Sequence, residues 1–203
     1  MEYLKHYENN FYSLEKLSDF NSIKKDSFNF FSKSGFPIRK KGDERWKYLD
    51  LRSLEKTIYT TDYENTNHNI NLDEIGLDES NTIFVSNGVP KFDSINGIES
   101  LSEEFYKPIV SFDEDEFLSL STSMSSGPLL LNVNSKFNST SLNIVYSSDS
   151  FKEILECPNI FIQIDNNVEI TINEIFMSDK TSTLKLPVLE MLLNKNSKVF
   201  HNL

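Results

Sequence analysis

The apolar residues of the first quarter of the chain recur at the spacing of a helix face. Within residues 1–56 this stripe consists of Phe11, Leu14, Leu17, Ile23, Phe28 and Phe31. Ser22 is a candidate cap for a second helix, and Lys33 falls in its last turn. Gly35 predicts the end of that helix, because glycine adopts the left-handed conformation that closes helices. The pattern predicts a helical hairpin.

The pattern becomes polar after this region and then changes to strand-like segments. Residues 66–69 read as a linker, and residues 82–85 followed by Asn87-Gly88 predict a strand, a tight turn and a returning strand. The acidic run 113–116 is typical of a solvated helix or loop. Its four adjacent carboxylates lack the spacing and the glycine of a calcium loop.

Beyond Gly127 the pattern is one strand after another, with no helical spacing between them. The predicted strands are 129–133, 142–146, 160–164, 168–175, 184–193 and 198 onward. Apolar residues alternate with polar ones, most clearly in Val168, Ile170 and Ile172, so each strand has one buried face. Polar corners separate the strands at 165–167 and 194–197.

Short strands with polar corners suit two folds, an antiparallel sandwich or a coil of stacked parallel rungs. Periodicity alone does not choose between them. The corners are rich in asparagine, which tolerates the left-handed conformation and forms ladders along a stack. This composition favours the coil. In the coil, we expect Ile160, Ile162, Ile164, Ile170 and Ile172 to face one shared interior.

The charge of the chain opposes a role in binding nucleic acid. The formal net charge of the 203 residues is -11, whereas binding to phosphates requires clustered lysine and arginine. The charge is also uneven: residues 1–56 hold 12 basic and 9 acidic residues, and the remainder hold 8 and 22. Two differently charged units are predicted.

Cysteine usage and hydropathy limit the chemistry of the chain further. Cys157 is the single cysteine, so the chain alone supplies neither an internal disulfide nor the four thiolates that usually hold an iron-sulfur cluster. We interpret it as a small buried residue. No apolar stretch reaches the length of a membrane span, and we expect a cytoplasmic protein without a membrane partner.

Candidate catalytic residues are scarce. His6, His68 and His201 lack the spacing of metal ligands, and no phosphate-binding loop or nucleophile elbow occurs. We therefore predict a chain that is not an enzyme. The alternatives are a β-helix or β-sandwich binding module and a glycan-active enzyme. Asp165 with Glu169 would be the only candidate carboxylates of such an enzyme within the predicted coil.

The segment 35–51, GFPIRKKGDERWKYLDL, carries the most specific pattern. It resembles the hallmark of the SufD family, roughly Gly-Leu-Pro-Thr-Arg-Lys, a short acidic stretch, and Glu-x-Trp-Lys-Tyr-Thr-Asp-Leu. The segment departs from that hallmark at Ile38, at Leu49 and by one additional residue near 41–42. The motif positions carried over are Arg39, Lys40, Glu44, Trp46, Lys47 and Tyr48.

Further resemblance follows in the same order along the chain. Residues 84–88 are similar to the family's Val-Phe-Val-Asn-Gly hairpin, and residues 158–174 are similar to its first rungs. Segments 188–191 and 196–201 resemble the next two strands. The resemblance implies a mainly β fold, in which an α-helical N-terminal region leads into a right-handed parallel β-helix.

The resemblance also implies a function and partners. SufD acts as a scaffold subunit with SufB and SufC, and the complete complex builds an iron-sulfur cluster. We expect a helical region at 1–64, a linker and hairpin at 65–128, and the first rungs at 129–203. The family's further rungs, SufB-contacting edge, cluster-forming residues and SufC-docking region are expected beyond residue 203, so no catalytic, cofactor or metal residue is carried over. We expect the isolated chain to self-associate, and to neither hydrolyse ATP, retain a cluster nor recruit SufC.

Two interpretations of the motif remain. Trp46 and Tyr48 beside Arg39, Lys40 and Lys47 fit an aromatic and basic nucleic-acid patch. We prefer an anchor, in which Trp46 is mostly buried where the helical region meets the strands and Arg39 pairs locally with Glu44. A partner-binding surface is the third possibility for these residues.

Overall fold

Two helices begin the chain in the computed structural model, which describes residues 2–14, 21–38, 45–46, 48–64, 72, 76–148, 153–178 and 182–203. Helix α1 spans Glu2–Leu14 and α2 spans Asn21–Ser34. They meet through aromatic contacts, including stacked rings of Phe11 and Phe28 with centroids 4.6 Å apart. The predicted helical pair is confirmed in these residues. The predicted linker 66–69 lies outside them.

The predicted end of α2 is also confirmed. Gly35 has a φ of 65°, and its N–H donates to the carbonyl of Phe31 at 2.7 Å. A side chain would be strained there, because L-residues rarely adopt this conformation. Ser22 lies within α2 and does not precede it, since the helix begins at Asn21.

A third helix, α3, spans Glu116–Met124 and was not predicted. Asp115 caps it by accepting the backbone N–H groups of Phe117 and Leu118 at 2.8 and 2.9 Å. Short 3-10 turns occur at Glu79–Asn81, Glu103–Phe105 and Phe112–Glu114. Helix α3 packs against α2, so the acidic run leads directly into the helical layer.

The described residues also form eleven strands. These are β1 Thr82–Ser86, β2 Val89–Lys91, β3 Ile98–Ser100, β4 Pro128–Val133, β5 Ser141–Ser148, β6 Ile154–Glu156, β7 Asn159–Ile164, β8 Glu169–Ser178, β9 Thr183–Lys185, β10 Val188–Leu193 and β11 Lys198–Asn202. The hairpin of β1 and β2 turns at Asn87 and Gly88, as predicted. Strands β3 and β6 were not predicted. The predicted strand 184–193 is two strands, separated by Leu186 and Pro187.

The strands form three sheets. Their orders are β11-β8-β5-β1-β2, β10-β7-β4-β3 and β6-β9. Among the described strands, only β1 with β2 and β3 with β4 pair in antiparallel fashion. The strands from β4 onward pair with one another in parallel, so three parallel stacks follow each other along the chain.

Paired positions within each stack recur at a nearly constant spacing. Leu129 pairs with Ile160 and Ile160 with Leu189, while Leu142 pairs with Ile172 and Ile172 with His201. A spacing of 29 to 31 residues therefore carries the chain once through all three sheets. Strands β7 and β8, which are adjacent in sequence, lie in different sheets and do not form a hairpin.

The apolar faces of these strands share one interior, the first core. As predicted, it contains all five isoleucines at 160, 162, 164, 170 and 172. A second core joins α1, α2 and α3 to residues next to β6 and includes Tyr7, Phe31, Leu120, Leu155 and Cys157. The helices therefore pack on the side of the strands where β6 and β9 lie.

Asparagine occupies paired positions in β5, β8 and β11, and Asn81, just before β1, extends the row. Asn143 donates to Asn81 at 3.3 Å, Asn173 to Asn143 at 2.8 Å, and Asn202 to Asn173 at 2.9 Å. Corner residues Asn167 and Asn196 both have a φ near 60° and are hydrogen-bonded to each other. The expectation that asparagine forms ladders along the stack is confirmed.

Candidate functional site

A cavity of about 490 Å³ lies where the helical layer meets the strands. Three separate parts of the chain form its walls: the segment after α2, one face of α3, and the corner between β9 and β10. The lining residues are Trp46, Leu51, Leu54, Phe117, Leu118, Ser121, Leu184, Lys185, Leu186, Pro187 and Val188. Nine of these side chains are apolar, so the cavity suits an apolar guest.

Helix α3 supplies one wall because of its local sequence. With Asp115 fixing the first turn, Phe117, Leu118 and Ser121 lie on one side of the helix at the spacing of one turn. Leu120 and Met124 are fully buried in the second core. The helix is thus held by one face and presents the other to the cavity.

The corner at Leu186 and Pro187 supplies the opposite wall. The Leu186 N–H donates to the Glu156 carbonyl at 2.8 Å, and the Leu186 carbonyl accepts the Ser121 hydroxyl at 2.5 Å. Pro187 has no N–H to donate, which suits a break between two strands. The corner is therefore fixed to both β6 and α3.

Trp46 forms the wall on the side of the motif segment. Its ring meets Phe117 edge to face, with centroids 5.1 Å apart and planes at 76°. The side chain is half-buried. Its indole Nε1 is inaccessible to solvent and has no acceptor among the residues that the structure describes. A buried donor without an acceptor costs free energy, so this N–H lowers the net stabilisation that the Trp46 side chain contributes.

Arg45 connects the Trp46 segment to the acidic run. Its guanidinium donates to the Glu114 carbonyl at 3.0 Å and lies 3.5 Å from Asp115 and 3.6 Å from Glu116. Glu116 is buried, although the run was expected to be solvated; Glu114 is exposed as expected. The carboxylates at the start of α3 thus meet a cation of the basic N-terminal region.

A buried ion pair stands at the edge of the cavity. Lys185 Nζ lies 2.8 Å from Glu156 Oε2, and their side chains are 15% and 1% exposed. Lys185 also donates to the Ser148 hydroxyl. Because the lysine in the wall is neutralised by its carboxylate, the cavity carries no uncompensated charge from this pair.

Cys157 lies next to this pair and is fully buried. Burial raises the pKa of the Cys157 thiol well above its ordinary value, and a hydrogen bond with Ser121 opposes this shift. Burial likewise raises the pKa of the Tyr63 phenol, which donates to the carbonyl of Met124. Both groups are therefore neutral at physiological pH, and the interpretation of Cys157 as a core residue is confirmed.

Of the six motif residues predicted from the sequence, the structure describes Trp46 and Tyr48. Trp46 lies at the junction of helices and strands, as expected, with its side chain partly buried against Phe117. Tyr48 is 89% exposed. Arg39, Lys40, Glu44 and Lys47 lie outside the described residues. Of the two motif residues that the structure describes, Trp46 lines the cavity and Tyr48 does not.

Sequence reasoning missed the other walls. Phe117 and Ser121 belong to α3, whose signal was Asp115 followed by apolar residues at 117, 118, 120 and 124. Leu184 and Leu186 were assigned to one continuous strand, 184–193, although Pro187 indicated a break. No local pattern relates these segments to Trp46, because they are at least 70 residues away in sequence.

A second polar cluster connects three strands of one sheet. The Tyr146 phenol donates to Glu174 Oε2 at 2.6 Å, and His201 Nε2 lies 2.7 Å from Glu174 Oε1. Burial raises the pKa of Tyr146, so its phenol remains a donor. These contacts connect β5, β8 and β11. Glu169, one of the two carboxylates considered for glycan chemistry, is not part of this cluster. It forms an exposed ion pair with Lys198, in which Nζ lies 3.2 Å from Oε2.

No helix in the described part of the chain has the length and apolarity to cross a membrane. No protein-family model matches the chain, and no curated protein matches it either. The resemblance to SufD proteins is accordingly a prediction from segment 35–51 and the strands that follow it.

Proposed function

We propose that the chain is a SufD-like scaffold subunit of a cytoplasmic iron-sulfur cluster assembly complex, acting with SufB-like and SufC-like subunits. In this proposal, the three parallel stacks are the faces of a right-handed parallel β-helix. The chain itself is not an enzyme. Its role is to hold partners in a fixed arrangement, while ATP hydrolysis and cluster formation belong to the complete complex.

One observation carries the proposal. The segments that resemble the family's first rungs, within 158–174, 188–191 and 196–201, fall in strands β7, β8, β10 and β11. These strands pair in parallel with a repeat of 29 to 31 residues, which is the arrangement of a coil that passes through one rung per repeat. The family-like motif at 35–51 precedes them in the expected order.

The two ends of the five-stranded sheet differ in a way that supports a scaffold role. Strand β2 at one end has three residues and contains Pro90, and short edges with proline resist further pairing. Strand β11 at the other end is longer and has no proline. Strand addition to such an edge is a common mode of protein recognition. We infer that β11, and not β2, is the edge of this sheet at which a further strand is added.

Cluster chemistry in this proposal depends on partners. Iron-sulfur clusters are usually held by several thiolates, and Cys157 is the one cysteine of the chain. Its burial and raised pKa keep it protonated and away from ligands. We therefore assign cluster binding to the complete complex and no cofactor to this chain alone.

The rival folds and functions have less support. An antiparallel sandwich requires antiparallel partners for the strands after β4, and these strands pair in parallel. A glycan-active enzyme requires two cooperating carboxylates, and Glu169 is an exposed partner of Lys198. The nucleic-acid interpretation of the motif is opposed by the net charge of -11.

Co-purification tests the proposal. A tagged chain expressed with the SufB-like and SufC-like proteins of the same genome is expected to retain the SufB-like subunit, with the SufC-like subunit present only through it. Val199→Pro is expected to abolish retention. The Lys198 N–H donates to the carbonyl of Val168, the residue before β8, so the Val199 N–H faces the open edge, and proline removes it.

Val199→Ala is the matched control, because it shortens the same side chain and keeps the backbone donor. It is expected to retain the SufB-like subunit at the wild-type level. Failure of the wild-type chain to retain any SufB-like protein, with both proteins folded by circular dichroism, would overturn the proposed function. Equal retention by Val199→Pro and wild type would reject β11 as the pairing edge.

A further inference from the structure

We propose that the open edge of β11 binds a parallel strand of another polypeptide that carries two amide side chains, opposite Asn196 and Asn202, and a carboxylate opposite Lys198. This inference deepens the proposed function and rests on it in one respect, namely that β11 is the edge at which a strand is added. Three rows of side chains cross the sheet and end at β11: two rows of amides and one row of alternating charge.

Two rows of asparagine reach β11. The longer row passes through Asn143, Asn173 and Asn202, and the shorter one connects the corner residues Asn167 and Asn196. At each of these steps, the Nδ2 of the later residue donates to the Oδ1 of the earlier one, over 2.8, 2.9 and 3.1 Å respectively. The later strand therefore supplies the donor, and the earlier strand supplies the acceptor.

The direction of these bonds identifies what the added strand must supply. The same direction occurs in the four-stranded sheet, where Gln163 donates to Asn132 at 3.2 Å. The side-chain oxygens of Asn196 and Asn202 accept no hydrogen bond within the part of the chain that the structure describes. An amide on the added strand has a donor for each of these oxygens, whereas an ionised carboxylate there has no proton to donate.

The third row carries charge. Glu169 Oε2 on β8 lies 3.2 Å from Lys198 Nζ on β11, and both side chains are exposed. A lysine ammonium has three protons to donate, so Lys198 has donors beyond the one that Glu169 accepts. Opposite charges on neighbouring strands stabilise their pairing, whereas like charges directly opposite each other destabilise it. An acidic residue opposite Lys198 therefore continues the alternation on the added strand, and a basic residue interrupts it.

Strand β8 and the corner before it provide a sequence with these properties. Residues 167–173, NVEITIN, begin and end with asparagine and carry Glu169 at the position that pairs with Lys198. Ile170 and Ile172 of the same segment face the first core. Paired residues of neighbouring strands point to the same face, so each column of side chains continues onto an added strand. A peptide with this sequence therefore carries the amides, the carboxylate and the apolar residues that suit the open edge of β11.

Binding of such a peptide tests the proposal. A fluorescein-labelled peptide of residues 166–174, NNVEITINE, is titrated with the 203-residue chain, diluted until light scattering gives the mass of the monomer, and its anisotropy is measured. We expect saturable binding. The rearranged peptide NVNIEITNE has the same composition but places the amides and the carboxylate in other columns. It is expected to bind at least about tenfold more weakly, because these hydrogen bonds are lost.

An exchange of charge locates the peptide opposite Lys198. Lys198→Glu is expected to raise the Kd of the peptide about two- to fivefold, because two carboxylates then lie opposite each other. The peptide NNVKITINE, which has lysine in place of that glutamate, is expected to bind Lys198→Glu more tightly than wild type. Lys136→Glu changes an exposed lysine of an earlier corner; it is the matched control and should alter neither preference.

Two further variants separate the amide row from the backbone edge. Asn202→Ala removes the open acceptor and is expected to raise the Kd of NNVEITINE about two- to fivefold. Val199→Pro removes the backbone N–H that faces the added strand and is expected to abolish binding, whereas Val199→Ala should bind as wild type does.

Absence of saturable binding to folded wild type would overturn the proposal. Equal affinities for NNVEITINE and the rearranged peptide would also overturn it, as would unchanged binding to Val199→Pro or a Lys198→Glu variant that still prefers the acidic peptide. No SufB-like subunit takes part in this experiment. Its failure together with retention of the SufB-like subunit in co-purification would reject the chemistry of the edge and leave the scaffold function standing.

Discussion

Trp46 illustrates how one side chain serves both the fold and the site. Its ring contacts Phe117 and lines a cavity, so part of its surface has no protein packed against it. A tryptophan in a fully packed core contributes more to stability, because its removal costs both its contacts and the formation of a void. The structural contribution of Trp46 is therefore smaller than full burial would give.

Trp46→Ala is expected to reduce the free energy of unfolding by less than about 3 kcal/mol, below the usual cost of removing a large core aromatic residue. Urea unfolding followed by circular dichroism measures this, since the variant has no tryptophan emission. Phe31→Ala, a fully buried aromatic of the second core, is the comparison and should cost more. A larger loss of unfolding free energy for Trp46→Ala than for Phe31→Ala would contradict the smaller structural contribution expected of Trp46.

Cys157 is expected to be unreactive in the folded protein. The thiolate is the reactive form, and burial both raises the pKa of this thiol and blocks access to it. Reaction with a disulfide reagent at pH 8 should be at least about a hundredfold slower in the native chain than in urea, because it requires local opening. Because the chain has one cysteine, the released chromophore reports this residue alone. Comparable rates in both conditions would place Cys157 at the surface.

At the scale of elements, the asparagine ladder connects the strands of the largest sheet. Asn143 is 3% exposed and bonds to Asn81 on one side and Asn173 on the other. A buried amide needs such partners, because an unsatisfied polar group costs free energy. The exposed Asn202 ends the ladder among the described residues.

Asn143→Ala is expected to destabilise the chain by about 1 to 3 kcal/mol, because it removes two hydrogen bonds and leaves two amides without one partner each. Asn202→Ala removes one exposed bond and should cost less than about 1 kcal/mol. Chemical denaturation of both variants tests the difference. Equal losses of stability in the two variants would mean that the buried bonds of the ladder stabilise the chain no more than its exposed bond does.

The elements show which sequence signals were sufficient. The end of α2 at Gly35 and the turn at Asn87 and Gly88 follow from the conformational freedom of single residues, which acts locally. The strands β7 and β8 were predicted from their alternation of apolar and polar residues, which arises because each strand has one face in the first core. Helix α3 was missed because serines interrupt its apolar spacing, and β6 because three residues are too few for a period.

Less of the candidate site than of the fold could be predicted from the sequence. Trp46 was identified through its motif, but its partners Phe117 and Leu186 lie in segments whose proximity depends on the whole arrangement of helices and strands. The buried ion pair of Glu156 and Lys185 likewise depends on the pairing of β6 with β9. Tertiary contacts of this kind leave no periodic signal in the chain.

At the scale of the whole molecule, the end of the stacks carrying β10 and β11 exposes apolar surface. Leu192, Leu193 and Phe200 are 43, 46 and 55% exposed. Among the described strands, β10 and β11 each stand at one end of their sheet, with a strand paired on one edge only. Apolar edges of this kind pair with other chains.

The isolated 203-residue chain is therefore expected to self-associate through this end. Light scattering after size exclusion should give a mass that rises with protein concentration, and Val199→Pro should shift it toward the monomer. Val199→Ala should resemble the wild type. A monodisperse monomer of wild type at every concentration, with slow amide exchange through residues 184–200, would contradict this prediction.

The central claim is that the chain supports iron-sulfur cluster assembly as a scaffold subunit. The most direct test is the activity of a [4Fe–4S] enzyme, measured in extracts of the source organism with the gene of this chain intact or disrupted. We predict that disruption lowers this activity without lowering the amount of the enzyme, and that the wild-type chain restores it whereas Val199→Pro does not. Unchanged cluster-enzyme activity after disruption would contradict the account.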